Sequence, residues 1–218
     1  MKVINLGETN SILNSFVAEI RDKSVQKDSM RFRRNLERIG EIFAYEISKT
    51  LTYELKSVRT PLGIAEVSQY KDKIVAATVL RAGLPLHQGI LNYFDKAANA
   101  FVATYRKDDK DSGFDVSIKY AAVPDIEGKV LIIADSMIAT GSSIEITYNE
   151  LVEEGGEPVH THIVCPVASA YGIDMLKKRL RGKNVTVWVA AIDPELTNSS
   201  YIIPGLGDAG DLAFGEKN

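Results

Sequence analysis

Asp135, Thr140, Ser142 and Ser143 stand close together in Val130-Leu-Ile-Ile-Ala-Asp-Ser-Met-Ile-Ala-Thr-Gly-Ser-Ser143, and these residue types in this order suit an anion site. The run Val130–Ala134 is wholly apolar, too short for a helix and right for a strand buried on both faces. Asp135 closes it, which puts a carboxylate at the strand's C-terminal edge. Ser142 and Glu145 have capping-box spacing, so a helix over 142–154 is expected to begin on them. A strand, a hydroxyl-rich turn and a helix start aim backbone N–H groups and hydroxyls outward, and the helix dipole favours negative charge there. Taken alone, the same residues also suit an ordinary capped strand-to-helix connection. Two familiar phosphate loops are absent: no Gly-Lys-Ser/Thr ends the turn, and no G-x-G-x-x-G follows a strand.

Cations that could meet an anion lie at two other strand ends. Arg81 follows the buried run Ile74-Val-Ala-Ala-Thr-Val-Leu80 and precedes Ala82, Gly83 and a helix start near Pro85. An arginine so placed can reach a phosphate over the sheet's carboxyl edge, though it suits a plain turn as well. Arg106 follows Phe101-Val-Ala-Thr-Tyr105 and opens the charged stretch 106–113, which reads as a mobile loop entering a β-ribbon at Phe114. Last comes Tyr201-Ile-Ile-Pro-Gly-Leu-Gly-Asp-Ala-Gly-Asp211, whose glycines, proline and aspartates are expected to prevent any regular element. Tyr201 and the paired isoleucines argue against a frayed end. A glycine-rich loop brings backbone N–H and C=O groups to close range, as recognition of a flat base edge requires.

Bringing these groups to one edge needs a parallel sheet. From Ile74 onward strands and helices alternate, which predicts an α/β fold with a mostly parallel central sheet flanked by helices. Before it, helical periodicity from Asn10 to Lys23 and from Ser29 to Leu51 gives an N-terminal helical segment. Arg31, Arg33, Arg34 and Arg38 cluster there; such clusters are more often a solvated face or subunit contact than an effector site. Tyr53–Arg59 and Ile64–Tyr70 alternate around Thr60-Pro-Leu-Gly63, a β-hairpin with no evident place in the main sheet. His160 and His162 share a face of the strand His160–Pro166, but no third ligand stands nearby, so no metal is expected there. His87 has no visible partner and reads as structural or exposed. The expected organisation is one domain: helices 10–51, a β-arm 52–70, an α/β core 74–193 and a C-terminal loop 194–218.

An apolar strand, an acid and Ala-Thr-Gly-Ser-Ser143 resemble the diphosphoribosyl motif of type I phosphoribosyltransferases. Leu80-Arg-Ala-Gly-Leu84, Tyr105-Arg106 and the segment 201–211 resemble the uracil-specific branch of that family. The resemblance implies that Arg81, Arg106 and Asp135 are catalytic. It implies that the diphosphoribosyl donor is bound by Arg81, Ala82, Gly83, Arg106, Asp135, Ser136, Met137, Ile138, Ala139, Thr140, Gly141, Ser142, Ser143 and Asp208. It assigns the uracil to Ile202, Gly207, Asp208 and Ala209, largely through backbone groups. It also implies Mg²⁺ held mainly by substrate and water, with no direct protein ligands. A GTP effector, a homo-oligomer and a hairpin arm reaching a neighbouring subunit complete the expectation. The family carries Pro where Ser136 stands, Gly where Ser142 stands and Ala-Ala-Pro-Glu-Gly where Val167-Ala-Ser-Ala-Tyr-Gly172 stands.

Size and charge narrow the field. With 218 residues one domain and an ample core are natural. The net charge of −3 argues against a dedicated nucleic-acid binder. No apolar run reaches the length of a membrane span, and a single cysteine, Cys165, suits a reducing, cytoplasmic setting. Two other readings stay open on sequence: a phosphoribosyltransferase for another base, and a pyrimidine-sensing RNA-binding regulator on the same fold. The segment 201–211 weighs against the first and the net charge against the second.

Overall fold

Residues along each buried strand face alternate layers, and that alternation builds a core on both sides of one sheet. A computed structural model describes residues 1–109 and 113–216, with side chains outside 105–116. The strands are β1 (Lys2–Asn5), β2 (Tyr53–Thr60), β3 (Gly63–Tyr70), β4 (Ile74–Leu80), β5 (Ala98–Asp109), β6 (Gly113–Ala122), β7 (Val130–Ala134), β8 (Met137–Ile138), β9 (His160–Ser169), β10 (Val185–Asp193), β11 (Glu195–Leu196) and β12 (Ile202–Ile203). The helices are α1 (Ile12–Arg21), α2 (Ser29–Ser48), α3 (Leu84–Leu91), α4 (Ser142–Gly155), α5 (Ala170–Arg179) and α6 (Ala209–Phe214). The main sheet runs β1-β10-β9-β7-β4-β5-β6, with β8 beside β9. All its pairings are parallel except β5 with β6, in agreement with the expected α/β architecture.

Ile74 and Ala76 of β4, with Val130 and Ile132 of β7, face a layer holding Ile20, Phe32, Leu36, Phe43 and Leu86 from α1, α2 and α3. Val75, Ala77, Leu131 and Ile133 face the other layer, with Ile144 and Leu151 of α4 and Ile173 and Leu176 of α5. Ile132 is fully buried, and cutting such a side chain to alanine costs about 2–5 kcal/mol. The helix starts follow from local chemistry. Ser11 and Asn14 form a capping box on α1, and the Asp28 carboxylate accepts from the N–H groups of Met30 and Arg31 at the start of α2.

Four expectations are corrected. β1 was not foreseen: four residues are too few to show a period, and they form a strand only because β10 offers a partner edge. α2 ends at Ser48 rather than Leu51. The stretch 106–113 is not a free loop over its whole length, because β5 continues to Asp109 and pairs antiparallel with β6; backbone pairing overrides the charge pattern, while 110–112 lie outside the described residues. The segment after β10 contains regular structure, β12 and α6, so the expected wholly irregular loop is also revised.

The hairpin β2–β3 forms its own two-stranded sheet apart from the main one. Every residue of β2 is exposed, as are Leu62, Ile64 and Val67 of the tip and return strand. The arginine cluster is engaged within the subunit. Arg31 pairs with Glu19 at 2.7 Å, Arg34 with Glu37 at 2.8 Å, Arg33 donates to Ala213 O at 2.6 Å, and Arg38 lies over the Phe16 ring.

Candidate active site

The chain passes from β4 to β5 on one side and then returns to β7 on the other, so strand order reverses between β4 and β7. An open parallel sheet leaves a crevice at the carboxyl edge of such a switch point. β4 and β7 pair as far as Thr78 and Ala134, so Arg81 and Asp135 leave neighbouring strands at that edge. β5 pairs with β4 as far as Ala103 opposite Leu80, which carries the Arg106 backbone past the same edge. The Arg106 side chain lies outside the described residues. The Leu80–Arg81 and Ile203–Pro204 peptide bonds are cis.

Arg81 joins two parts of the site. Its Nη2 donates to Asp211 Oδ1 at 3.3 Å and to Gly215 O at 3.2 Å. Its Nε is buried without a hydrogen-bond partner among the described residues, a state that calls for an acceptor. Ala82 follows, and Gly83 occupies the cap position of α3. Asp135 is nearly buried and accepts the Ser136 N–H at 2.7 Å. Burial, and secondarily the Asp135 charge, push the Cys165 thiol well above its usual range, so it stays protonated and donates to Val167 O.

The turn after Asp135 is held by its neighbour strand and by α5. Met137 and Ile138 pair with Val167 and Ala168 as β8. Ala139 O accepts the Ser169 hydroxyl at 2.6 Å, and that hydroxyl accepts the Gly172 N–H at 2.8 Å. A Cβ on Gly172 would lie 2.4 Å from Ala139 O, so α5 can approach the turn only as glycine allows. The expected capping box does not form. Gly141, at φ +79°, takes the cap position of α4 without any side-chain cap, and Ser142 becomes its first helical residue. Glu145 turns instead to Arg179 at 3.1 Å, and Arg179 donates to Ser142 Oγ at 2.9 Å. The Thr140 hydroxyl also meets Ser142 Oγ, at 3.2 Å. Gly141 offers no side chain to cap α4, and the Ser142 N–H makes only a long bond to Thr140 Oγ1 at 3.4 Å, so N–H groups of the first turn remain for an anion.

Residues expected from sequence to meet the base converge on the same corner. Ile202 is buried and pairs with Leu196. Gly207 sits at φ +94°, and Asp208 caps α6 by accepting the Asp211 N–H at 3.0 Å, which leaves Ala209 buried as the first helical residue. A Cβ on Gly210 would lie 3.1 Å from Asp208 Oδ1 and 3.7 Å from Arg81 Nη2. Asp208 and Arg81 are therefore near neighbours, and of the expected site residues only Arg106 lacks a described side chain.

Sequence reasoning missed the groups that hold these loops: Arg21, Gln26 and Asp193 at the base loop, Ser169 and Arg179 at the turn. Arg21 meets Asp193 across 172 positions and Gln26 meets Leu206 across 180, distances over which a local pattern carries no signal. The histidines are structural. His162 Nδ1 accepts from Trp188 Nε1 at 3.0 Å, its pKa is lowered to about 3 by burial, and His160 meets Thr186 Oγ1 at 3.0 Å. His87 is buried and bonded to Asn99. Among the described residues no group of three or more His, Cys, Asp or Glu could hold a metal ion. A cavity of about 310 Å³ lined by Tyr70, Ile74, Phe94, Lys73, Lys96 and Lys129 opens at the amino edge, the wrong end of the sheet for this chemistry.

The mostly parallel sheet, with its strand order reversing between β4 and β7, has the type I phosphoribosyltransferase fold. A solved hypoxanthine phosphoribosyltransferase of Staphylococcus aureus shares that fold with a TM-score of 0.50 at 12% identity, covering 86% of this chain and 84% of that one. The solved AQ2163 protein of Aquifex aeolicus superposes with a TM-score of 0.86 at 27% identity over 98% of both chains. The uracil phosphoribosyltransferase family model matches residues 8–216. A uracil phosphoribosyltransferase of Porphyromonas gingivalis is 55% identical over 100% of both chains, and one of Methanothermobacter thermautotrophicus is 37% identical over 96% of this chain and 94% of that one. The chain belongs to the uracil phosphoribosyltransferase family. It is accordingly a pentosyltransferase.

Proposed function

We propose a division of labour among this chain's residues for the family's reaction, in which 5-phospho-α-D-ribose 1-diphosphate and uracil give UMP and diphosphate. The bond from the anomeric carbon to the diphosphate oxygen breaks as the bond to the base nitrogen forms, through an oxocarbenium-like state. Such a reaction needs placement and charge stabilisation more than a nucleophilic side chain. The turn 139–143 and the start of α4 hold the 5′-phosphate, and Asp135 with Ser136 holds the ribose hydroxyls. Arg81 and Arg106 draw charge onto the departing diphosphate. Main-chain groups of Ile202, Gly207, Asp208 and Ala209 read the uracil edge. The observation that carries this reading is Arg81 Nε, buried at the switch point without a partner among the described residues.

Mg²⁺ would arrive with the donor's own oxygens and water and so would need no protein ligand cluster. When bound, the ion adds positive charge at the diphosphate. GTP as an effector rests on the resemblance. The engaged arginines of α2 offer it no ready cluster, for Arg31 and Arg34 are already paired with glutamates. Among the described residues no helix is long and apolar enough to cross a membrane, and a cytoplasmic, reducing setting suits the buried thiol of Cys165. The functional test is product formation from labelled uracil with the donor and Mg²⁺, run beside cytosine, hypoxanthine and orotate. Efficient use of another base in preference to uracil would overturn the assignment.

The exposed hairpin supports a homo-oligomer. An isolated two-stranded ribbon is marginal in water, and β2–β3 exposes Leu55, Leu62, Ile64 and Val67. Its occupant is a second copy of this chain. Deleting residues 56–67 should lower the mass seen by light scattering, and an unchanged mass would refute the arm.

A further inference from the structure

We infer that Arg21, Asp193 and Gln26 form a clamp that sets the position of the base-reading backbone and thereby the choice of base. This rests on the functional reading above. Arg21, the last residue of α1, makes two parallel bonds to Asp193, Nη1 to Oδ2 at 2.9 Å and Nη2 to Oδ1 at 3.0 Å. Asp193 ends β10, so its carboxylate is fixed to the main sheet. The same Oδ2 accepts the Gly205 N–H at 2.9 Å, and Arg21 Nη1 donates to Gly205 O at 3.3 Å. One residue further on, Gln26 Nε2 donates to Leu206 O at 3.0 Å while its other bond, at 2.9 Å, returns to Ile20 O.

Both polar groups of Gly205 and the carbonyl of Leu206 are thus held by side chains from outside the loop. Gly207 and Asp208, which face the base, come next in the chain. The pair is mostly withdrawn from solvent, with side-chain exposures of 21% and 8%. A buried ion pair is a poor source of net stability, because desolvation offsets the attraction, but its bidentate geometry fixes direction. What the clamp supplies is placement. Main-chain readers cannot adjust by changing rotamer, so any drift of residues 205–206 passes directly to the groups that meet the base. The donor turn takes its own supports from β9 and α5, whereas Asp193 adjoins Ser169 in the β10–β9 register, so the clamp is tested at Arg21 and Gln26, whose bonds go to Asp193, Ile20, Gly205 and Leu206.

The test uses the full-length protein carrying Arg21→Lys, Arg21→Ala or Gln26→Leu, with kcat and KM measured for uracil, cytosine and the donor. A displacement near one ångström at a positioned group can cost roughly 100-fold. The expected result is a uracil KM raised on the order of 10- to 100-fold, a donor KM held within about twofold, and a uracil-over-cytosine ratio reduced at least about tenfold. Arg21→Lys should fall between the unaltered protein and Arg21→Ala, because it keeps the charge but loses the fork. If Arg21→Ala does not fold, Gln26→Leu still decides, since it removes only the bonds to two carbonyls. Variants that melt earlier but keep the uracil KM and the base ratio would reduce the clamp to a structural staple and overturn the inference. Failure of the functional reading is separate: it would show as no UMP formed by the unaltered protein.

Discussion

The two loops that meet at the carboxyl edge are built in opposite ways. The donor turn 139–143 is held by nearby strands and helices of the same α/β core, through Ser169, Gly172 and Arg179. The base loop 202–209 is held by the N-terminal helical segment, through Arg21 and Gln26, while Arg33 of α2 holds the next helix, α6, at Ala213 O. The first is a motif with its own anion chemistry, and any phosphate would suit it. The second is a stretch of backbone whose meaning depends on where distant residues place it. On the proposed roles, donor binding and base choice rest on different side chains, which meet only where Ser169 and Asp193 are register partners.

Arg81 is where that separation should fail, because it leaves β4 beside the strand that ends at Asp135 and is bonded to Asp211 and Gly215 O just beyond the base loop. Arg81→Ala should lower kcat about 10²- to 10³-fold, the usual loss when one charge-stabilising donor is removed from a developing anion. Its melting temperature should hardly move, since the pair with Asp211 is about a third exposed on each side and such pairs are worth about 0–1 kcal/mol. Near-unaltered turnover would remove Arg81 from the chemistry.

A disturbance of the sheet itself should treat both loops alike. His162 is buried neutral against Trp188, with its pKa lowered to about 3 by burial and, less, by His160. Its folded-state pKa lies below the unfolded value near 6.5, so the unfolded chain binds more protons as pH falls. Stability is therefore fully present above about pH 6.5 and declines as pH drops towards 3, by roughly 1–2 kcal/mol between pH 6.5 and 5. Urea unfolding across that window should show the decline, and His162→Gln, which keeps an acceptor for Trp188, should flatten it. An equal slope in the variant would mean that other groups, such as His160 and His87, carry the effect.

Two glycine substitutions should pull the loops apart. Valine at Gly172 would drive a Cβ into Ala139 O, which an ideal atom approaches to 2.4 Å, so the donor turn must shift. Valine at Gly207 meets no atom within 4 Å, but φ +94° is strained for any residue with a Cβ. Gly172→Val should raise the donor KM and spare the preference for uracil over cytosine. Gly207→Val should weaken that preference by roughly 10- to 100-fold, because unsatisfied groups at the base edge cost about 1–3 kcal/mol each. If both variants altered both parameters equally, the division between the loops would be wrong.

The same contrast explains what the sequence revealed. β4, β7, β9 and β10 announce themselves as apolar runs because both faces are buried, and Asp135 and Arg81 stand at their ends. The hairpin was legible from alternation and Thr60-Pro-Leu-Gly63. The supports of the base loop were not, because a hydrogen bond between α1 and a strand end far along the chain leaves no periodic trace. Ser142 misled for a physical reason. Serine three residues before glutamate has the composition of a capping box, yet Gly141 in the left-handed region already holds the cap position. The base loop's α6 was hidden by its glycines, and its start is set by Asp208 acting as a cap.

Ser142 supplies the smallest and most discriminating effect. Its hydroxyl accepts from Arg179 and from Thr140, while Arg179 keeps Glu145 as a second partner at 3.1 Å. Ser142→Ala therefore removes one charge-assisted bond at a partly exposed position and leaves the cation in place. Such a loss is worth about 1 kcal/mol, so the donor KM should rise no more than about fivefold. The uracil KM and the base ratio should not change, since the partners of the Ser142 hydroxyl, Arg179 and Thr140, lie outside residues 202–209. A loss of kcat near 10³-fold would instead place the Ser142 hydroxyl on the reacting substrate, where removal of one oriented donor has that magnitude. Steady-state kinetics on this one variant thus separate a turn that binds with its backbone from one that binds with its side chains.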